Sequence, residues 1–182
     1  MAWQDFYRDE RDRLAETPFD CDTLSLQGIP DTLIVQRLRE RYQGHTLFIL
    51  FWENCTPDFI KNVVLPLQRE LTNLDIIWIT VYSYFPKPNN YTMASYARLL
   101  RYGVWPQGEH YYRNVSSRMD KRLALYKTMG LSKVIVNPFC IISPDGQIVS
   151  NNEKIDKIGW PEIEYLFIRH CLRQTAKEKT QH

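Results

Sequence analysis

At 182 residues, with 44% hydrophobic and 13% aromatic side chains, the chain suits a single globular domain able to bury roughly 70% of its unfolded surface. A net charge of +2 falls well short of the basic footprint of a nucleic-acid-binding domain, and no apolar run approaches the ~20 residues of a membrane span. Residues 1–16, MAWQDFYRDERDRLAE, lack the apolar segment of a signal peptide, so a soluble, intracellular and cytoplasmic protein is expected.

In chain order, residues 4–16 read as a charged helical lead-in. Residues 31–42 follow Pro30 with Leu33, Ile34, Val35 and Leu38 as apolar members, which predicts a second helix. Together they make an N-terminal helical extension. Residues 45–52 form a nearly continuous apolar run of strand length, the mark of a strand buried on both faces of a sheet. The helix predicted over 56–72 carries Ile60, Val63, Val64, Leu67 and Leu71 at helical spacing, with Pro66 inside the stripe predicting a kink. A second buried strand follows at 75–84, and strand, helix and strand with short connections imply a parallel crossover.

Residues 86–90 read as a loop, 92–101 as a helix, 102–114 as an aromatic-rich irregular segment with a short strand, and 116–129 as a helix presenting Met119, Leu123, Tyr126 and Met129. The run from Val134 to Ile142, then Asp145-Gly146, then Gln147 to Val149 predicts a hairpin with its turn at Asp-Gly. A last helix, 160–175, opens on Pro161 and is expected to turn Ile163, Leu166, Phe167 and Cys171 inward. Residues 176–182 read as a disordered tail.

Chemistry is concentrated at Cys55, which lies between the first buried strand and its helix. A thiol there meets outward-pointing backbone N–H groups and the positive end of the helix dipole, which favour a thiolate. Yet Thr56-Pro57-Asp58 is also an ordinary helix start, with Thr at the N-cap, Pro at the first turn and an acid after it. Cys55 is therefore either a nucleophile or a merely structural thiol. Cys21, Cys140 and Cys171 form no CxxC pair with it, so neither a zinc site nor a disulfide framework is indicated. Cys21 lies between Asp20 and Asp22, which hold it unreactive. Cys140 and Cys171 fall on apolar segments, where buried cysteine behaves as a small hydrophobe. His45, His110 and His170 show no ligand pattern, so no metal and no cofactor are expected. The sequons at Asn54, Asn90 and Asn114 carry no meaning in an unsecreted chain.

The order of elements, with Phe51-Trp52 before the cysteine and a proline opening the late hairpin, resembles the thioredoxin superfamily, and within it the branch of TlpA-like proteins and nucleoredoxins. In those families a strand ends in FWA-x-WC-x-PC, the helix carries a further proline, and the late strand begins at a cis-proline. Phe51-Trp52, Cys55-Thr56-Pro57, Pro66, Pro138 and Pro144-Asp145-Gly146 stand in those places here. The resemblance covers residues 45–173. It implies an α/β, thioredoxin-like fold with a central mixed sheet and helices on both faces, divided as 1–44 extension, 45–175 domain and 176–182 tail. It also implies a cis bond before Pro138, and an Asn137-Pro138 backbone that faces Cys55 and receives a partner's extended chain.

Two departures matter. Asn54 stands for the usual aromatic residue, and Asp58 stands for the second cysteine, so a mixed disulfide at Cys55 has no resolving thiol one helical turn away. The expected function is a protein-binding or assembly subunit with a degenerate active site, its surface drawn from Trp52, Pro57, Asn137, Pro138, Trp105 and Tyr111 and its partner a protein. The alternative is a monothiol oxidoreductase in which Cys55 attacks and glutathione or another small thiol resolves. The basic residues Arg98, Arg101, Arg113, Arg118, Lys121 and Arg122 belong to solvated helix faces more readily than to a nucleic-acid site.

Overall fold

The structure, a computed structural model, describes residues 29–51, 57–84, 108–114 and 119–180. The expected helices at 4–16 and 92–101 lie outside the described residues.

A 3-10 turn, Asp31–Leu33, leads into helix α1, Ile34–Arg41. Strand β1 is Thr46–Phe51, with every one of its residues buried. Helix α2 occupies residues 57–70: Pro57–Phe59 is α-helical, Ile60–Val64 is a π-helical turn, and Leu65–Glu70 is α-helical again. The wide turn ends next to Pro66, which has no N–H to give and whose ring would crowd the carbonyl four residues back. Leu65 N–H reaches Ile60 O instead. The distortion lets the stripe of Ile60, Val63, Val64, Leu67 and Leu71 remain buried throughout.

Strand β2, Ile76–Tyr84, pairs parallel with β1, and β3, Glu109–Asn114, pairs parallel with β2. Gly108 makes that second pairing possible. At φ +124 it passes so close to the Trp78 carbonyl that any β-carbon there would collide with it. Helix α3 is Met119–Thr128. Strands β4, Phe139–Ile142, and β5, Ile148–Asn151, form the hairpin, and α4, Pro161–Thr175, closes the chain. The Asp145-Gly146 turn is as expected, with Gly146 at φ 85 and its N–H on Ser143 O at 2.8 Å.

The sheet order is β3-β2-β1-β4-β5, with β4 antiparallel to β1 and β5 antiparallel to β4. This mixed sheet, with a β1-α2-β2 crossover, a late hairpin and a final helix, is a thioredoxin-like α/β arrangement. Alternate residues of the strands serve two cores. Phe48, Leu50, Phe139 and Ile141 meet α2 and α4 on one face, while Leu47, Ile49, Phe51, Cys140 and Ile142 meet α1 and α3 on the other.

Several expectations change. Residues 31–41, read as part of an extension, form the cover of the second face, with Ile34, Val35 and Leu38 at most 1% exposed. The tail is held as far as Lys179: Asp75 N–H donates to Lys177 O and Lys179 N–H to Asn73 O, each at 2.8 Å. The hairpin strand starts at Phe139, not Val134, because Asn137 adopts φ 53, a left-handed conformation that ends extended structure and that asparagine tolerates. On α4 the fully buried residues are Glu164, Ile168 and Leu172; Ile163, Phe167 and Cys171 are half-buried and Leu166 is exposed. Apolar residues cover so much of that helix that spacing alone does not select its inner face.

Tyr111, expected on a binding surface, is a core residue at 2% exposure. Its hydroxyl shares a 2.6 Å hydrogen bond with that of Tyr42, and burial together with that bond pushes its phenol well above the usual range. Replacing Tyr111 by Ala should therefore lower stability by about 3–5 kcal/mol, as for a buried aromatic, whereas Tyr111→Phe should cost only about 1 kcal/mol, the worth of one hydrogen bond. Urea unfolding of the two variants measures this; an Ala variant as stable as the parent would place Tyr111 outside the core.

Candidate functional site

The carboxyl end of β1 is where the elements implicated by the sequence converge. Phe51 N–H, at the last residue of β1, donates to Pro138 O at 3.0 Å, so the Asn137-Pro138 segment lies directly beside that strand end. The helix that follows β1 begins at Pro57. Asp58 is exposed in its first turn, where a carboxylate gains from the helix dipole. Cys55, Trp52 and Trp105 lie outside the described residues. Of the other predicted site residues, Pro57 and Asp58 open α2, and Asn137 and Pro138 are buried next to β1. Tyr111 belongs to the core.

The peptide bond before Pro138 is trans, as are all those of the described residues, against the expectation of a cis bond. Asn137 supplies the change of chain direction through its positive φ. A side chain that the sequence reading passed over holds this segment in place. Asn152, 0% exposed, accepts a hydrogen bond from Phe139 N–H at 2.8 Å and donates one to Asn137 O at 2.9 Å. One amide thus satisfies the backbone on both sides of Pro138, where a turn residue and a proline leave the ladder incomplete. It also engages the Asn137 carbonyl that the sequence reading had offered to a partner's extended chain.

Its neighbours extend the clamp. Asn151 donates to Met129 O at 3.0 Å and accepts from Glu153 N–H at 2.9 Å, and Glu153 accepts from both the N–H and the hydroxyl of Ser132 at 2.5 Å. These bonds from Ser132 hold the Glu153 carboxyl below the usual glutamate range. Gly130, at φ 79, lies so near the Asn151 amide that a β-carbon would come within 2.9 Å of it. The signal was present in the sequence as Asn151-Asn152-Glu153 directly after an apolar strand, since amides in such a place serve backbone groups that lack partners.

One of the two described thiols is a poor nucleophile. Cys140 is fully buried, and desolvation pushes its thiol up to about 12, which leaves it protonated at neutral pH. Cys171 is free and half-buried on α4. Among the described residues no cluster of His, Cys, Asp or Glu has the makings of a metal site, and His45 is occupied by Asp75 at 2.9 Å. No helix of the described residues is long and apolar enough to cross a membrane.

No protein-family model matches the chain, and no curated protein is similar to it. Among solved structures it is similar to the thioredoxin domain of a thiol-disulfide oxidoreductase from Bacteroides vulgatus, at 9% identity and a TM-score of 0.45 over 73% of this chain and 83% of that one. An uncharacterized conserved protein from Geobacillus kaustophilus gives 17% identity and a TM-score of 0.48 over 76% and 70%. A secreted Mycobacterium tuberculosis disulfide oxidoreductase gives 11% and 0.41 over 72% and 84%. The assignment of a thioredoxin-like fold to this chain rests on its strand order and crossover.

Asn152→Ala should destabilise the fold strongly, because it orphans two buried backbone groups at about 1–3 kcal/mol each. Denaturant unfolding reads the total; a loss below that of an ordinary surface substitution would mean that water or another side chain replaces the amide.

Proposed function

We propose that this chain is a thioredoxin-fold protein that works by holding a protein partner and has little or no disulfide reductase activity. The observation that carries the reading is Asp58, a solvated carboxylate in the first turn of α2, three residues after Cys55, where a dithiol enzyme needs its resolving sulfur. No described cysteine substitutes for it: Cys140 is sealed in the core with its thiol held protonated, and Cys171 is half-buried on α4. The clamped Asn137 carbonyl further supports a site that does not present that group to a substrate strand. The proposed contact surface is the end of β1 and the start of α2, with Trp52, Pro57 and Trp105 as its contact residues and Asn137 and Pro138 as its buried support.

A second reading is favoured by the start of α2 at Pro57, two residues after Cys55 in the sequence. In that reading the Cys55 thiolate attacks the glutathione sulfur of a protein–glutathione mixed disulfide. It takes the glutathione sulfur and releases the protein thiolate; a second glutathione thiolate then regenerates Cys55 and leaves as glutathione disulfide.

Reduction of insulin disulfides by dithiothreitol should proceed no faster with the protein than without it. Turnover that Cys55→Ser abolishes would support the monothiol enzyme and sink the binding reading. Asp58→Cys should allow an intramolecular disulfide to Cys55, because positions three apart at a helix start are neighbours. Two free thiols after oxidation of that variant would contradict the proposed geometry.

A further inference from the structure

One buried ionisable group takes no part in the proposed site. Glu164, Ile168 and Leu172 follow one another at four-residue spacing on α4 and form its buried stripe, at 2%, 0% and 0% exposure. Glutamate is almost never placed so. The start of the helix explains its presence. Trp160, at the N-cap, has no side-chain bond to offer, and the Glu164 carboxyl instead accepts the backbone N–H of Gly159, one residue further out. This is the reciprocal half of a capping box, displaced by a residue. The second oxygen, Oε2, is buried without a partner among the described residues.

The acidic and basic residues on the elements around it are Asp58, Lys61, Arg69 and Glu70 on α2, Asp156 and Lys157 before α4, and Glu162, Arg169, His170 and Arg173 on α4 itself. All are exposed except the half-buried Glu70 and Arg169, Glu70 pairs with Arg169 and Arg173, and none of them contributes to the state of the Glu164 carboxyl. Among the described residues, only the Gly159 N–H favours a negative charge there. Residues 156–160, which precede the helix, are all exposed, with Trp160 at 60%, so they are the part of the structure that can move at least cost when the carboxyl seeks water.

We propose that Glu164 is a proton-operated latch, which in its neutral form fastens residues 156–160 and the first turn of α4 to the core and on ionisation releases them. The step is the loss of the carboxyl proton to solvent. Its sign follows from burial, which raises the carboxyl above the 4.5 of an exposed glutamate despite the opposing Gly159 bond. The folded state then holds the proton more tightly than the unfolded chain. Its stabilisation is complete below 4.5 and is lost as pH rises through the folded value. Release also alters a groove of ≈ 920 Å³ between α2 and α4, because Gly159, Trp160 and Pro161 line it opposite Asn62 and Pro66.

Hydrogen exchange of the whole chain between pH 5 and 8, corrected for the chemical pH dependence of exchange, tests the latch. In the wild type, protection of residues 156–165 should fall about tenfold for each pH unit above the folded value, while the β1 amides keep theirs; in Glu164→Gln, which keeps the acceptor for Gly159 but does not titrate, protection should stay flat. An equal fall in the Gln variant, no fall in the wild type, or a fall shared by β1 overturns the proposal. Should the variant fail to fold, the carbon-13 carboxyl titration of Glu164 in the wild type decides. A midpoint above 4.5 that the Trp160 indole resonance follows supports the latch; a midpoint at or below 4.5, or an indole indifferent to it, overturns it.

Discussion

The burial of β1 on both faces is the constraint from which the rest of the architecture follows. A strand whose six residues are all buried exposes none of its side chains to water, so both surfaces of the sheet need helical cover. One face receives α2 and α4 and the other α1 and α3. Each large apolar side chain so buried contributes roughly 1.5–3 kcal/mol. Parallel pairing with β2 requires a crossover, and α2 is that crossover. Its first turn is thereby fixed near the carboxyl end of β1, which is why Asp58 and Pro138 are gathered at one end of the fold.

A buried strand end also creates a polar problem. Where β4 begins, Asn137 and Pro138 cannot extend a regular ladder, and the Phe139 N–H and Asn137 carbonyl require partners within the protein. Asn152 supplies both from the end of β5, with Asn151 and Glu153 fastening the chain between α3 and β4 in the same manner. The clamp is structural: it occupies the Asn137 carbonyl and the Phe139 N–H beside the end of β1.

Much of the frame was legible in the sequence because long apolar runs and a clear helical stripe leave few choices: β1, β2, the buried face of α2 and the hairpin turn at Asp145-Gly146 all follow from periodicity and turn chemistry. Less was legible where one residue decides the local path. Asn137 turns the chain through its own left-handed conformation, so neither the early strand start at Val134 nor the cis bond before Pro138 holds. Glu164 was passed over because a charge on a buried stripe violates the pattern being sought, and Leu166 was turned inward because α4 is apolar on too many sides. Tyr111, in an aromatic-rich stretch, was assigned to a surface although its pairing partner, Tyr42, lies 69 residues away. Of the candidate site, the start of α2 and the nearness of Pro138 were legible; the Asn152 clamp depends on contacts made only in the folded chain.

The central claim is that a thioredoxin-like frame here serves binding and has given up thiol chemistry. The reactivity of Cys55 tests it most directly, followed by pH-dependent alkylation of the native protein with mass spectrometry to resolve the site. The account predicts a midpoint at or above the ~8.5 of an ordinary cysteine, with Asp58 opposing the thiolate. A midpoint well below that value, in protein shown to be folded, would identify an activated nucleophile and contradict the account.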